Sequence, residues 1–208
     1  MNYESIIFDI DGTLWDSRAL IAEGYNIQLR KEGLHRLQTN ADVLLRLFGK
    51  TMSEIADNLF PEFPPEQRYA LMDRCIASED VYLKEQPCDT IAYPDIRPTM
   101  EALARNHRLF IVSNGQKGYP QLAAQKLGVA HLITGYLSYG DTGTAKGETI
   151  RTLMKAHGIT SAVYVGDTQG DYEATVDAGI AFIWADYGFG KPEACHGTIH
   201  CFKDLLKL

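Results

Sequence analysis

Beyond Tyr93, short apolar segments alternate with helical segments along the chain. The predicted strands are 109–113, 132–137, 162–166 and 181–185, and the predicted helices are 119–127, 147–157 and 172–178. A glycine follows each of these helices, at positions 128, 158 and 179. Strands that alternate with helices of this length form crossover units, which join parallel strands. The alternation therefore predicts an α/β fold, a doubly wound parallel sheet with helices on its faces.

A further strand is predicted at residues 5–8, where a short apolar run suits a strand buried on both faces. Asp9 stands at its carboxyl end, and Asp11 and Gly12 follow. Side chains two positions apart on an extended segment point the same way, so Asp9 and Asp11 can reach one small volume. Carboxylates that close share a proton, bind a cation or stay apart in water. The first two arrangements would make a catalytic site.

The chemistry that such a pair indicates is a nucleophile and an acid at a strand end. One carboxylate would attack an electrophile and form a covalent intermediate, and the other would exchange a proton with the leaving group and with water. A Mg²⁺ ion would hold both reactants. A surface pair of aspartates near a turn is the alternative explanation of this stretch taken alone.

In an open parallel sheet, ligands bind beyond the carboxyl ends of the strands, so the residues after the other predicted strands are also candidates. Ser113 and Asn114 can present a hydroxyl and backbone N–H groups to phosphoryl oxygens. Asp167 and Asp171 suit a hard cation that binds oxygen. The compact charge of Lys146 suits a nucleophilic carboxylate or a phosphoryl oxygen. Taken singly, Ser113 and Asn114 are better explained as a simple turn and Lys146 as a solvated lysine, and Asp171 could be a helix N-cap.

Between the first strand and residue 88 the pattern is helical throughout. The predicted helices are 18–31, 41–48, one that starts at the capping box Thr51-Met52-Ser53-Glu54, and one that starts near Pro65. The sequence therefore predicts two domains. An α/β catalytic core would consist of residues 1–16 and 88–208, and an all-helical cap of residues 17–87 would be inserted into it.

The composition limits the partners of the chain. A net charge of −7 over 208 residues, without a cluster of lysines or arginines, argues against binding to nucleic acid or to an anionic membrane surface. The four cysteines lack the C-x-x-C spacing of zinc sites and are expected to be reduced thiols. We see no secretory signal and no apolar run that approaches a membrane span, so a cytoplasmic location is expected.

In chain order, these residues form four motifs: Asp9-x-Asp11-Gly12-Thr13, Ser113-Asn114, Lys146, and Gly166-Asp167-x-x-Gly170-Asp171. They resemble the four ordered motifs of the haloacid dehalogenase superfamily, phosphatase branch, and the match spans almost the whole chain. The helical insertion after the first motif is similar to the cap of the subgroup that includes phosphoglycolate phosphatases, beta-phosphoglucomutases and several nucleotidases. The resemblance implies a Rossmann-like core with this cap.

The resemblance also implies a role for each residue. Asp9 would be the nucleophile that forms an aspartyl-phosphate, and Asp11 would be the general acid and base. Ser113 and Lys146 would hold the transferring phosphoryl group, with Asn114 as a further substrate contact. The implied Mg²⁺ ligands are Asp9, the backbone carbonyl of Asp11, Asp167 and Asp171, the last directly or through a water molecule.

Asp11 also bears on a choice within the superfamily. The dehalogenases that give the superfamily its name need no metal and lack a carboxylate at this position, so Asp11 favours phosphoryl transfer. The chain departs from the common pattern at Gly147, where relatives commonly have a proline. The ammonium group of Lys146 is nevertheless retained.

The cap would determine the substrate. Lys50, in a turn between two predicted cap helices, could contact a substrate carboxylate or a second phosphate, although a solvated turn lysine is an equally good explanation. The loop at residues 187–190, Tyr-Gly-Phe-Gly, resembles a loop of phosphoglycolate phosphatases near the rim of their site.

The expected activity is thus Mg²⁺-dependent hydrolysis of a small-molecule phosphate monoester, with phosphoglycolate as one candidate. A phosphomutase or nucleotidase of the same superfamily and a catalytically silent binding protein are the alternatives. A signalling receiver phosphorylated on aspartate is disfavoured by the spacing of Asp9 and Asp11 and by the large cap. The sequence predicts no oligomeric state.

Overall fold

The computed structural model describes residues 3–207 and contains a six-stranded sheet in this part of the chain. The strands are β1 (Ser5–Phe8), β2 (Arg108–Ser113), β3 (Ile133–Ser138), β4 (Ala162–Gly166), β5 (Ala181–Ala185) and β6 (Gly197–Ile199). Their order across the sheet is β3-β2-β1-β4-β5-β6, and every neighbouring pair is parallel. The predicted fold class, a Rossmann-like doubly wound parallel sheet, is confirmed.

Strand β1 lies inside the sheet, between β2 and β4. All four of its residues are buried, as expected for a strand covered on both faces. The chain adds β2 and β3 on one side and then crosses to the other side to add β4, β5 and β6. The connections therefore diverge at β1, and in open α/β sheets such a divergence leaves a crevice beyond the carboxyl ends of the strands.

The α-helices of the described residues fall into two groups. The first group is α1 (Arg18–Lys31), α2 (Ala41–Leu45), α3 (Met52–Leu59) and α4 (Pro65–Glu85). The second is α5 (Ile96–Leu103), α6 (Tyr119–Lys126), α7 (Tyr139–Thr142), α8 (Lys146–His157) and α9 (Gln169–Ala178). Short 3-10 helices occupy His35–Leu37, Ala130–Leu132 and Phe202–Lys207. Among residues 3–207, no helix combines the length and the apolar character needed to cross a membrane.

The chain divides into two compact units. Ser17–Pro87 forms an all-helical unit, and the segments up to Asp16 and from Cys88 onward form an α/β unit. In the helical unit, α1 packs closely against α4 at Gly24, where a Cβ would lie 2.6 Å from the Cα of Glu79. The close contact of these two long helices forms the framework of the unit.

The capping box predicted in the helical unit is confirmed. The backbone N–H of Thr51 donates to the Glu54 carboxylate at 2.8 Å, and the backbone N–H of Glu54 donates to the Thr51 hydroxyl at 3.4 Å. These two bonds satisfy N–H groups that have no partner within the helix, so α3 begins directly after Thr51.

The core of the α/β unit includes the central strands and α8. Ile7 of β1, Phe110 of β2 and Tyr164 of β4 are fully buried, and Ile150 and Leu153 of α8 pack with them. Burial of an apolar side chain of this size contributes about 1.5–3 kcal/mol. This packing fixes the ends of the central strands, where the polar residues of the first, second and fourth motifs begin.

Among the described residues of the α/β unit, the helices α5 and α7, the strand β6 and the two 3-10 helices were not predicted. Helix α5 begins after Asp95, which has a φ of 62°, and Pro98 lies in its first turn, where a missing N–H removes no helical hydrogen bond. Strand β6 has only three residues and starts with Gly197, so it carries no clear apolar pattern. The prediction of a helix at 41–48 was too long, because α2 already ends at Leu45.

Candidate active site

The carboxyl ends of three neighbouring strands bring polar side chains to one edge of the sheet. Asp9 follows β1, Ser113 ends β2, and Asp167 follows β4. Their exposed fractions are 6%, 4% and 0%. Charged side chains are seldom buried this deeply unless they are paired or bind a ligand. This edge of the sheet is the candidate active site.

Gly12 shapes the acidic turn that leaves β1. Its φ is +87°, in the region that favours glycine. The backbone N–H groups of Thr13 and Leu14 both donate to the carbonyl of Ile10, at 3.1 and 2.7 Å. A Cβ at Gly12 would lie 2.6 Å from the Cγ of Asp167. The glycine therefore permits both the tight turn and the close approach of the second acidic segment.

Lys146 joins the two acidic segments. It is the first residue of α8, and its side chain is 6% exposed. Its Nζ donates to Oδ1 of Asp9 at 2.8 Å and to Oδ1 of Asp171 at 2.7 Å. A buried cation thus lies between two buried carboxylates, which is the pairing that buried charge requires.

Asp171 has a second set of partners at the start of α9. Its Oδ2 accepts hydrogen bonds from the backbone N–H of Thr168 at 3.0 Å and from the Thr168 hydroxyl at 2.7 Å. The backbone N–H of Asp171 donates to that hydroxyl in return, at 3.2 Å, which completes a capping box. Asp171 therefore caps α9 with one carboxylate oxygen and holds Lys146 with the other.

Asp167 has one satisfied and one unsatisfied carboxylate oxygen. Oδ2 accepts a hydrogen bond from the backbone N–H of Phe189 at 2.6 Å. Oδ1 is buried and has no hydrogen-bond partner within residues 3–207. A buried carboxylate oxygen without a partner is costly, so this atom is suited to binding a cation.

The acidic cluster fits a divalent cation. Asp9, Asp167 and Asp171 each offer one carboxylate oxygen, and these oxygens lie within 4.8 Å of one another. Mg²⁺ prefers hard oxygen ligands, and Asp167, whose Oδ1 has no hydrogen-bond partner among the described residues, is one of the three residues of this cluster. Binding through the backbone carbonyl of Asp11 stays a prediction.

The buried carboxylates differ in how readily they ionise. Burial raises the pKa of Asp9 to about 7, against the opposing effect of Lys146 and with a contribution from Asp171. Burial also raises the pKa of Asp167 well above its usual range, and the charges of Asp171 and Asp9 add to this rise. Additional positive charge at the cluster would therefore release protons from Asp9 and Asp167.

The Lys146–Asp171 pair stays ionised despite its burial. Burial opposes the charge of Lys146, but Asp171 and Asp9 outweigh it and hold the pKa of the ammonium above its ordinary value. Burial likewise opposes ionisation of Asp171, but Lys146 and the hydrogen bonds from Thr168 hold its pKa below the usual value. Both groups are therefore expected to be charged at neutral pH.

Tyr164 is a site residue that sequence reasoning missed. Its hydroxyl lies 3.3 Å from Oδ1 of Asp9 and 3.0 Å from the carbonyl oxygen of Val112. Burial raises the pKa of this phenol well above its usual value, so it stays protonated. The residue lies within an apolar strand, where the sequence pattern indicates core packing alone, and no sequence signal marks its hydroxyl.

The side chain of Asp11 is held by two aromatic residues that were also missed. The Nε1 of Trp15 donates to Oδ1 of Asp11 at 3.0 Å, and the hydroxyl of Tyr119 donates to the same oxygen at 2.7 Å. Trp15 and Tyr119 are 0% and 2% exposed. The sequence signal for these residues was their position, since Trp15 follows the first motif and Tyr119 follows the second.

The remaining predicted site residues are Ser113, Asn114 and Lys50. The Ser113 hydroxyl oxygen accepts a hydrogen bond from the backbone N–H of Gly115 at 3.0 Å, at the end of β2. Asn114 follows it and is half-buried. Lys50 belongs to the helical unit and lies in an exposed turn just before α3. The roles of these three residues stay predictions.

The loop at residues 187–190 packs against the acidic segments. The hydroxyl of Tyr187 donates to the carbonyl of Thr13 at 2.9 Å. A Cβ at Gly188 would lie 2.5 Å from Oδ2 of Asp167, so only glycine leaves room for that carboxylate. This loop therefore helps to shape the surroundings of Asp167.

The comparison with protein families identifies the class of the chain. Residues 6–185 match the family of haloacid dehalogenase-like hydrolases. The matched segment covers most of the chain and includes all four sequence motifs. The chain belongs to this family, and the prediction from its motifs is confirmed.

Within this family, the chain is similar to individual phosphoglycolate phosphatases. The phosphoglycolate phosphatase of Aquifex aeolicus is 28% identical over 210 residues, which cover 98% of this chain and 95% of that protein. The phosphoglycolate phosphatase of Aliivibrio fischeri is 27% identical over 204 residues, which cover 90% and 86%. The predicted resemblance to phosphoglycolate phosphatases is confirmed at this level.

A solved structure shows the same fold. A protein of Haemophilus somnus, described as a predicted phosphoglycolate phosphatase, matches with a TM-score of 0.81 and 24% sequence identity. The match covers 100% of this chain and 98% of that one. The fold that residues 3–207 adopt therefore also occurs in an experimental structure.

Proposed function

We propose that this chain is a Mg²⁺-dependent phosphatase that hydrolyses small phosphate monoesters through an aspartyl-phosphate on Asp9. The observation that carries the proposal is the buried set of Asp9, Lys146 and Asp171, with Asp167 beside it, at the carboxyl ends of the strands. The enzyme class is that of the phosphoric monoester hydrolases, in line with the family of the chain and the names of its relatives.

Asp9 supplies the nucleophile. One of its carboxylate oxygens attacks the phosphorus atom, the bond from phosphorus to the leaving oxygen breaks, and the phosphoryl group remains on Asp9. Lys146, 2.8 Å from Oδ1, favours the ionised carboxylate although burial raises the pKa of Asp9 to about 7. In general, removing one preorganised charged or polar donor of this kind costs about 3–4 kcal/mol of transition-state stabilisation.

Asp11 exchanges the proton in both steps. In the first step it donates a proton to the leaving oxygen, and in the second it accepts a proton from the water that attacks the phosphorus atom on Asp9. The second step releases inorganic phosphate and returns Asp9 to its carboxylate form and Asp11 to its acid form. Ser113, Asn114 and Lys146 hold the phosphoryl oxygens during both steps.

Asp9, Asp167 and the backbone carbonyl of Asp11 would hold the Mg²⁺ ion. Asp171 would bind the ion directly or through a water molecule. Its oxygens already accept hydrogen bonds from Lys146 and from Thr168 at the start of α9. When bound, the ion supplies positive charge that stabilises charge on the phosphoryl oxygens. The unsatisfied Oδ1 of Asp167 supports this ligand set.

A phosphoglycolate-like monoester is the substrate we propose. The relatives named above support it, and Lys50 is the candidate contact for a carboxylate of such a substrate. The helical unit would act as the cap that selects the substrate, and the α/β unit as the catalytic core. We also propose that the protein is cytoplasmic and binds neither nucleic acid nor a membrane.

The test is phosphate release from a panel of small phosphate monoesters. The panel contains phosphoglycolate, sugar phosphates and nucleoside monophosphates, each measured with Mg²⁺ and with a chelator. We expect release that requires Mg²⁺, is fastest for phosphoglycolate, and is abolished in Asp9→Asn. Asp89→Asn, which changes an exposed aspartate of the same unit, is the matched control and should keep full activity.

The outcomes separate the alternatives. Full activity of Asp9→Asn would remove Asp9 from the nucleophile role. Transfer of the phosphoryl group to a second sugar phosphate, instead of release, would show a mutase, and preferred hydrolysis of nucleoside monophosphates would show a nucleotidase. A folded protein that binds these compounds and releases no phosphate would show a silent binding protein.

A further inference from the structure

Asp11 accepts two hydrogen bonds from aromatic side chains at a single oxygen atom. The Nε1 of Trp15 lies 3.0 Å from Oδ1 of Asp11, and the hydroxyl of Tyr119 lies 2.7 Å from it. The two donors also contact each other, because Nε1 of Trp15 lies 3.2 Å from the Tyr119 hydroxyl oxygen. The three polar groups therefore form a closed triangle.

Trp15 is held in place by the same turn that carries Asp11. The backbone N–H of Gly12 donates to the carbonyl of Trp15 at 2.9 Å, and the backbone N–H of Trp15 donates to the carbonyl of Ile10 at 3.3 Å. The side chain is fully buried. These backbone bonds and the burial of the side chain hold the indole N–H close to Asp11.

Tyr119 comes from a distant part of the chain, and its local sequence places it. It is the first residue of α6 and follows Gly118, whose φ of +87° turns the chain into the helix. Its ring packs so closely over Gly115 that a Cβ there would lie 2.9 Å from the Tyr119 Cδ1. The ring centres of Trp15 and Tyr119 are 6.0 Å apart, so the two donors also pack against each other.

Two donors on one oxygen distinguish the two oxygens of Asp11 whenever its carboxyl group is in the acid form. An oxygen that accepts two hydrogen bonds acts as the carbonyl oxygen of the acid form, so the proton belongs to Oδ2. The torsion that rotates a carboxyl group is soft when nothing holds it, and the two bonds remove this freedom. Proton transfer depends on such orientation, because the acid must lie within hydrogen-bond reach of the leaving oxygen.

We propose that Trp15 and Tyr119 are positioning residues for proton transfer by Asp11, which hold its carboxyl group with Oδ2 as the proton-carrying atom. This inference rests on the phosphatase function proposed above. Neither residue touches the phosphoryl group in this scheme. Their effect is confined to steps in which Asp11 gives or takes a proton.

The leaving group of the substrate provides a specific test. An alkyl phosphate such as phosphoglycolate needs a proton on its leaving oxygen, whereas p-nitrophenyl phosphate has a leaving group that is stable as an anion. The value of kcat/KM covers the steps up to departure of the leaving group and excludes later hydrolysis of the aspartyl-phosphate. A residue that acts through Asp11 should therefore affect kcat/KM for phosphoglycolate much more than for p-nitrophenyl phosphate.

We expect Tyr119→Phe to lower kcat/KM about tenfold for phosphoglycolate and less than about twofold for p-nitrophenyl phosphate. The tenfold loss is smaller than the roughly hundredfold or greater effect of general acid catalysis, because Asp11 itself is retained. Trp15→Phe, which keeps an aromatic ring but loses the N–H, should show the same selectivity. Asp11→Asn should show the largest selectivity of all. In the Asp11→Asn background, Tyr119→Phe should have little further effect, because the group it positions is already lost.

Tyr136→Phe is the matched control. It removes a half-buried hydroxyl that donates to the carbonyl of Ala130 at 3.3 Å, and it should leave both substrates unaffected. Circular dichroism in the aromatic region and thermal unfolding of each variant show whether it is folded. A folded Tyr119→Phe or Trp15→Phe then gives a valid reading even if the other variant is not folded.

Equal losses for the two substrates in folded Tyr119→Phe and Trp15→Phe would overturn the positioning role, and so would unchanged values for both. If Asp11→Asn remains selective in that case, the proposed function stands and only this inference fails. If the unmodified protein hydrolyses neither substrate, the proposed function itself fails. Substrate-selective losses that vanish in the Asp11→Asn background would establish the inference.

Discussion

The charged residues of the site are held in a place that water scarcely reaches. Lys146 lies between Asp9 and Asp171, and none of these side chains is more than 9% exposed. A buried charge is tolerated when it is paired and is costly when its partner is removed. The three residues therefore behave as one electrostatic unit, and the loss of Lys146 would leave two carboxylates in a site of low dielectric constant.

We expect Lys146→Met to lower the free energy of unfolding by about 3–5 kcal/mol at pH 8 in metal-free buffer. The loss should be smaller at pH 6, where Asp9 can take up a proton and relieve the repulsion. Urea unfolding at the two pH values measures this difference. Lys155→Met changes an exposed lysine of the same helix and should cost less than about 0.5 kcal/mol. Equal losses in the two variants would contradict the pairing.

The raised pKa of Asp9 makes the stability of the metal-free protein depend on pH. This pKa is about 7 in the folded chain, against an ordinary value of 3.8. Between these values the folded state keeps a proton that the unfolded state has lost, so stability falls as the pH rises. The contribution of Asp9 is therefore complete below the ordinary pKa and is lost as the pH passes the folded one.

Mg²⁺ must displace this proton when it binds, so its affinity should rise with pH. Asp167, whose pKa burial also raises, has a proton to lose as well. We expect the dissociation constant to tighten by up to about tenfold per pH unit for each of these two carboxyl groups that is still protonated, and to level off once both are ionised. Isothermal titration calorimetry at pH 6, 7 and 8, in buffers of different ionisation enthalpy, measures both the affinity and the proton release. An affinity that is independent of pH, without proton release, would contradict the burial of an uncharged Asp9.

Helices α8 and α9 bring Lys146 and Asp171 together, and Gly147 allows their close contact. A Cβ at Gly147 would lie 2.9 Å from the Cβ of Asp177 and 3.0 Å from the carbonyl oxygen of Ala174. This contact gives a physical reason for glycine at this position, because a larger residue would push the two helices apart.

Gly147→Ala tests this contact. Alanine favours a helix over glycine by about 1 kcal/mol, but an overpacked contact costs about 1–3 kcal/mol, so we expect a net loss of stability. We also expect lower activity, because Lys146 would move with α8. Thr152→Ala, at an exposed position of α8, is the control and should not destabilise the protein. A more stable Gly147→Ala variant would show that the helices can adjust without cost.

The strands and their acidic ends were largely predictable because their signals are local. The predicted strands 162–166 and 181–185 coincide with β4 and β5, and the prediction 109–113 misses only the first residue of β2. Apolar runs followed by turn residues define such elements without tertiary information. Elements with weak local patterns, such as the three-residue β6, were missed because they lack such a local signal.

Two supporting residues of the site, Tyr164 and Tyr119, could not be predicted because their partners are distant in sequence. Tyr164 lies 155 residues from Asp9, and Tyr119 lies 108 residues from Asp11. Each of them fits the apolar pattern of its own segment, and only the folded chain shows where its hydroxyl points. Sequence reasoning therefore identified the charged groups of the site but not the groups that orient them.

At the scale of the whole molecule, the chain separates the proposed chemistry from the proposed selection of substrate. The structural boundary of the helical unit falls at Ser17 and Pro87, where the sequence pattern also changes. Apart from Lys50, every proposed site residue belongs to the α/β unit. The sequence of the helical unit is mainly a pattern of packing, which explains why the substrate is harder to predict than the reaction.

The net charge of −7 gives the molecule no general attraction for anions. An anionic phosphate monoester must therefore be attracted by local charge, and Lys146 with the proposed Mg²⁺ ion would supply it. This arrangement makes the acidic cluster without its metal repulsive to the substrate. Activity should accordingly depend on the metal even at high substrate concentration.

The proposed covalent intermediate can be observed by acid quenching of the enzyme during turnover with Mg²⁺, followed by mass spectrometry of its peptides. We predict one phosphoryl group on the peptide that contains Asp9, and none on the same peptide from Asp9→Asn. Phosphate release without a phosphoryl group on that peptide, or a modification that persists in Asp9→Asn, would contradict phosphoryl transfer to Asp9.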